Sequence, residues 1–108
     1  VGDAGDRLVP RLRERVRRMN RATFNRDDGV ATLMPLEPPA LGRLGEIHLP
    51  VLVIVGSLDT MAVLAIADIL EQGIAGARKV IFSSAAHMLN MEYPELFNQT
   101  VLQFLSEI

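Results

Sequence analysis

Cysteine is absent from the 108-residue sequence, which excludes a disulfide framework, a thiolate zinc site and a cysteine nucleophile within it. No apolar run approaches the roughly 20 residues that a membrane helix needs. The charges nearly cancel, with 11 basic and 13 acidic side chains, so the whole chain has no electrostatic reason to bind nucleic acid or an anionic membrane. The first residues contain neither an initiator methionine nor the apolar core of a signal peptide. We therefore expect a cytoplasmic protein, either trimmed at its start or a fragment of a longer one.

Basic charge is concentrated at the beginning of the sequence. Residues 1–26 hold eight arginines and three acids. Apolar residues recur there at the three- and four-residue spacing of one helical face: Leu8, Leu12, Val16 and Met19. This pattern predicts a surface helix with a solvated basic face. A stripe that binds nucleic-acid phosphates is the alternative, and it is disfavoured because no aromatic side chain precedes Phe24 to stack on bases.

The remainder of the sequence predicts one small α/β core, since 49% of all residues are apolar. Three prolines between residues 35 and 39 mark a connector, because neither a helix nor an interior strand continues through them. The run VLVIV, residues 51–55, has no polar alternation, which is typical of a parallel strand covered on both faces. A helix over residues 61–72, with an apolar face that includes Ile66, and a strand over residues 79–82 complete a βαβ unit.

A last helix is predicted from Pro94, because the missing N–H of proline needs no partner in a first turn. Glu92 and Glu95 lie where the positive end of the helix dipole favours acids, and Glu92 could instead hydrogen-bond near residue 87. The predicted buried side of this helix is apolar: Phe97, Val101, Phe104, Leu105 and Ile108. The predicted order is therefore a helix and a connector followed by βαβα.

Two polar side chains follow the predicted strands. Asp59 lies four residues after Val55, and His87 lies five residues after Phe82. The carboxyl ends of neighbouring parallel strands meet at one edge of a sheet, where functional side chains collect. Taken singly, such an aspartate is more often a turn or cap residue and such a histidine a surface residue. Together they suit an acid that orients a histidine, which leaves the other ring nitrogen to act as a general base.

The motifs follow a recognisable order. PPALGRLGEIHLPVLVIVGSLDT combines an Ile, a Pro, an apolar strand and Gly-x-x-Asp. GARKVIFSSAAHMLNMEYPELF continues with a Gly-Ala-Arg turn, a strand, Ala-Ala-His and Glu-x-Pro-Glu-x-Phe. In this order and spacing the motifs resemble the carboxyl-terminal part of the α/β-hydrolase superfamily, with its esterases and lactonases. The resemblance covers about residues 38–106.

The resemblance implies that Asp59 and His87 are the acid and the histidine of a catalytic triad, with no cofactor and no metal. It implies that residues 47–108 are the βαβα part of the hydrolase core. Residues 1–46 would be a helix and connector from the cap region that shapes the substrate pocket.

The family's Gly-x-Ser-x-Gly nucleophile elbow and its oxyanion segment are absent from the sequence. We therefore expect a carboxyl-terminal fragment that is inactive alone. Its parent would hydrolyse an ester, lactone or similar bond of a small molecule, with the nucleophile and oxyanion hole in a missing amino-terminal half.

Two stretches depart from the family pattern. Thr60 and Met61 stand where a Val-Pro or similar pair often follows the acid, and Ser83 and Ser84 stand where Pro-Gly often precedes the histidine.

A non-catalytic module that binds a partner through an exposed strand edge is the alternative function. Self-association through strand edges is likewise the alternative to pairing with an amino-terminal half.

Overall fold

The computed structural model describes residues 8–26, 29 and 31–108, so residues 1–7, 27, 28 and 30 of the predicted helix-and-connector segment lie outside the described residues. The elements in chain order are α1 (Pro10–Phe24), a 3-10 helix (Ala40–Glu46), β1 (Leu52–Gly56), α2 (Met61–Gly73), β2 (Arg78–Phe82), α3 (Leu89–Glu92) and α4 (Pro94–Ser106). In the described ranges, none of the helices has the length and apolar character that crossing a membrane requires.

Helix α1 begins at Pro10, which occupies its first turn. None of its residues is fully buried, which confirms the prediction of a surface helix. Leu12 and Val16 are half-buried, whereas Met19, predicted on the same apolar face, is 48% exposed. The face therefore packs mainly through the first half of the helix.

The connector contains a short 3-10 helix that was not predicted from the sequence. The 3-10 helix begins directly after Pro39, which is extended and precedes its first turn. It packs against the end of α2, because a Cβ added at Gly73 would lie only 2.7 Å from Leu44 Cδ1. The connector prediction was incomplete here, since the prolines interrupt regular structure only as far as residue 39.

The two strands pair in parallel, with Leu52 opposite Arg78 and Gly56 opposite Phe82. This pairing confirms the predicted βαβ unit, with strand boundaries one residue from those expected. The prediction that β1 is covered on both faces was only partly correct. Val55 is buried, but the preceding three residues are half-buried, because the described chain supplies β1 with one neighbouring strand.

Helices α2 and α4 cover opposite faces of this small sheet. Lys79 Nζ forms ion pairs with Asp68 and Glu71 of α2. The side chain of the next residue, Val80, points to the other face, where it joins the core cluster that includes Phe97 of α4. The members of this cluster are Phe82, Ala85 and Leu89, with Ile54, Val80 and Phe97 packed against them.

Some apolar side chains of α2 and of the end of the chain are exposed. In α2, Ala67 is buried but Ile66 is 53% exposed. At the end of the chain, Leu105 is 52% and Ile108 65% exposed. The predicted burial of Leu105 and Ile108 was wrong, because the described part of the chain leaves both side chains open to solvent.

Candidate active site

The loops that follow the two strands are held together by backbone hydrogen bonds. The Ser57 N–H donates to the Phe82 carbonyl at 3.0 Å, and the Leu58 N–H donates to the Ala85 carbonyl at 2.8 Å. The first bond continues the parallel ladder beyond β1, and the second joins the two turns directly. The turn after β1 and the turn after β2 therefore form one connected surface at the carboxyl edge of the sheet.

Gly56 permits this close approach. A Cβ at this position would lie 2.7 Å from the Ala85 carbonyl carbon and closer still to the carbonyl oxygens of Ala85 and Ala86. The Gly56 carbonyl in turn accepts the Asp59 N–H at 3.0 Å, which closes the turn. These close contacts are a steric reason for glycine at this position.

The two predicted site residues meet across these loops. His87 Nδ1 lies 2.8 Å from Asp59 Oδ2. The aspartate side chain is only 4% exposed, whereas the imidazole is 56% exposed. The arrangement places a buried carboxylate behind a histidine whose outer part is open to solvent.

Hydrogen bonding keeps the Asp59 carboxyl ionised. Burial alone raises its pKa, but the hydrogen bond from His87, the Thr60 N–H and the charge of His87 outweigh burial and lower the pKa below its ordinary value of 3.8. The Thr60 N–H donates to Asp59 Oδ1 at 2.7 Å. Because an ionised carboxylate only accepts hydrogen bonds, His87 Nδ1 must carry a proton. In the neutral ring, Nε2 is then the basic nitrogen.

Thr60 has a second role as the N-cap of α2. Its hydroxyl accepts the Val63 N–H at 3.3 Å, and its carbonyl accepts the Leu64 N–H at 3.0 Å. The residue beside the acid is thereby fixed to the start of a helix. A threonine directly before an apolar helical run is the sequence signal that could have predicted this cap.

The loop before His87 is held by core packing and by a hydrogen bond to Glu92. Ala85 and Ala86 are buried in the core, with 0% and 2% exposure. The Ala86 N–H donates to both carboxylate oxygens of Glu92 at 3.2 Å. Glu92 therefore supports the histidine loop, which is the second of the two roles that its position suggested.

No group of three or more His, Asp or Glu side chains within the described ranges is placed to hold a metal ion.

Comparisons with known proteins place this geometry in context. No protein-family model matches the sequence. The 2-hydroxy-6-oxononadienedioate/2-hydroxy-6-oxononatrienedioate hydrolase of Klebsiella pneumoniae is 37% identical over 73 residues, which are 67% of this chain and 25% of the hydrolase. The structure of MenH from S. aureus superposes with a TM-score of 0.61 and 28% identity, over 65% of this chain and 26% of MenH.

A second solved structure agrees in fold. It is an α/β hydrolase from the metagenome of lagoon sediments at Mar Chica, Morocco, with a TM-score of 0.59 and 23% identity over 64% of this chain and 32% of the enzyme. The chain is a partial α/β-hydrolase-like protein. It spans about a quarter of the length of the curated relative that it matches. The predicted fold class is confirmed: this α/β-hydrolase-like chain has the two parallel strands and helices expected of a carboxyl-terminal α/β portion.

Proposed function

We propose that the chain is the carboxyl-terminal portion of an α/β-hydrolase, with Asp59 and His87 as the acid and base of a catalytic triad. The observation that carries the proposal is the 2.8 Å contact between His87 Nδ1 and Asp59 Oδ2, made by a buried acid and an open imidazole. The hydrolase named among the sequence relatives supports the reaction class. The nucleophile and oxyanion donors would come from an amino-terminal half, since the sequence contains no Gly-x-Ser-x-Gly.

The geometry suits a proton relay. As the nucleophile of the other half forms a bond to the substrate carbonyl carbon, its proton would pass to His87 Nε2. Asp59 would stabilise the resulting imidazolium through Nδ1. The same proton would then pass to the leaving group as its bond to the carbonyl carbon breaks, and a water molecule would repeat the sequence to release the acid product. An ester, a lactone or a similar bond fits this chemistry.

The position of α1 supports a cap-region origin for residues 1–46. Side chains of α1 face the segment that follows His87 across a cleft. The residues lining it are Leu12, Arg15 and Met19 of α1 with Asn90, Met91 and Pro94. A helix beside the candidate base is suited to forming one wall of a substrate pocket for a small molecule.

A second candidate function is a non-catalytic module that binds a partner through a strand edge. Its supporting observation is that β1 and β2 form a two-stranded sheet in the described chain, which leaves each strand with one unpaired edge. Ile81 of β2 is 53% exposed, which adds apolar surface beside that edge.

Replacement of His87 by Ala in the complete protein that carries this chain distinguishes the two functions. With ester and lactone substrates we expect turnover to fall by about 10⁴-fold while circular dichroism stays unchanged. His48→Ala is the matched control, because His48 is exposed in the link before β1 and should keep full turnover. Unchanged turnover in His87→Ala would contradict the triad. Partner binding without turnover in either form would favour the interaction module.

A further inference from the structure

A side-chain hydrogen bond outside the Asp59–His87 pair joins the two loops. Ser57 Oγ accepts the Ser84 N–H at 2.9 Å, across 27 residues of sequence. Ser57 lies two residues before the candidate acid, and Ser84 lies three residues before the candidate base. The bond therefore connects the two segments that must hold the pair in register.

Ser84 needs such support because of its backbone conformation. Its φ is +60°, in the left-handed region that disfavours any residue with a Cβ. The sequence has serine here where the family often has glycine, which adopts this conformation without steric cost. A contact from outside the loop can offset the unfavourable conformation, and the Ser57 hydroxyl is in place to make one.

Ser57 is itself firmly held. Its own N–H donates to the Phe82 carbonyl at 3.0 Å, and the next residue donates to the Ala85 carbonyl at 2.8 Å. The backbone that carries the Ser57 hydroxyl is thus bonded to two residues that flank Ser84 in the sequence, Phe82 and Ala85. A fixed acceptor restrains its donor more effectively than a mobile one.

We infer that Ser57 is a positioning residue: its hydroxyl holds Ser84 in the left-handed conformation and thereby sets His87 against Asp59. This inference rests on the proposed function. Ser57 acts through the loop and not on the substrate, so its removal should change the alignment of the base rather than the binding of substrate. Small misplacements of a catalytic group have large effects on rate, about 100-fold for 1 Å.

Three variants of the complete protein test the inference. In Ser57→Ala we expect kcat to fall by about tenfold while KM stays within about twofold. Ser57→Thr keeps the hydroxyl and should recover most of the wild-type kcat. Ser83→Ala is the control: it removes the hydroxyl of an exposed serine directly before Ser84, and it should retain the wild-type kcat.

A structural measurement accompanies the kinetics. Hydrogen exchange at the Ser84 amide should be faster in Ser57→Ala than in Ser83→Ala, and the NMR signal of the His87 Nδ1 proton should weaken. Equal kcat and equal Ser84 exchange in the two variants would overturn the inference. The His87→Ala variant separates this failure from that of the proposed function: an active His87→Ala refutes the triad, whereas an inactive His87→Ala beside a fully active Ser57→Ala refutes only the role of Ser57.

Discussion

The Asp59 side chain is only 4% exposed, yet the pKa of its carboxyl is lowered, because hydrogen bonds replace part of its lost water. His87 and the Thr60 N–H each supply one such bond, to different oxygens of the carboxylate. The ionised carboxylate therefore lies behind the imidazole, whose outer part meets solvent. In the proposed function, the carboxylate would hold the imidazole in one orientation while the histidine transfers a proton.

The lowered pKa of Asp59 predicts a pH-dependent contribution to stability. The folded state favours the ionised carboxyl, so the contribution is present above the ordinary value of 3.8 and is lost as pH falls through the lower folded value. Urea unfolding between about pH 2 and about pH 6 should show the free energy of unfolding of the wild type rising with pH relative to Asp59→Asn. Parallel pH profiles for the two proteins would contradict the account.

At the residue scale, the sequence predicted the two members of the pair but few of their supports. Asp59 and His87 were recognisable because each follows a strand at a short distance. Ser57 and Glu92 act by accepting backbone N–H groups of Ser84 and Ala86. Such bonds depend on how two loops approach each other, and no spacing in the sequence specifies that approach.

At the scale of elements, local sequence patterns predicted the strands and the main helices well, because apolar runs and the residues that end them are close together in the sequence. The 3-10 helix was missed because its packing partner, Gly73 at the end of α2, is distant in sequence. Burial at the end of the chain was overestimated for Leu105 and Ile108. An apolar stripe identifies the side of a helix that can be covered, whereas the covering element itself determines how much is buried.

The cap of α2 gives a prediction at this scale. Thr60→Ala removes the hydroxyl that accepts the Val63 N–H and should lower the free energy of unfolding by about 1 kcal/mol. Thr60→Ser keeps an oxygen in the same place and should cost much less. Urea unfolding at neutral pH measures both. Equal stabilities for the alanine and serine variants would show that the hydroxyl does not stabilise α2.

At the scale of the whole molecule, the described chain leaves much apolar surface open. Strand β1, which is made of aliphatic residues and a terminal glycine, is half-buried along most of its length. Ile81 on the neighbouring strand β2 is 53% exposed. Large exposed apolar patches mark surfaces that bind another protein segment. In the proposed enzyme, the amino-terminal half would cover this surface and bring the nucleophile to His87.

This surface predicts how the 108-residue chain behaves when it is produced alone. We expect self-association, seen as species larger than the monomer by size-exclusion chromatography with light scattering. Ile81→Lys should reduce the association, because a charge beside an open strand edge opposes pairing. Co-production with the amino-terminal half should replace it by a one-to-one complex. A monodisperse monomer that unfolds cooperatively would be the contrary result.

In the proposed hydrolase, Asp59 and His87 act as one unit. The most direct measurement is kcat/KM of the complete protein in four forms: wild type, Asp59→Asn, His87→Ala and the double variant. If the two side chains form a triad pair, the double variant should be no slower than His87→Ala, because the acid acts only through the base. Losses that multiply in the double variant, or full activity in His87→Ala, would contradict the account.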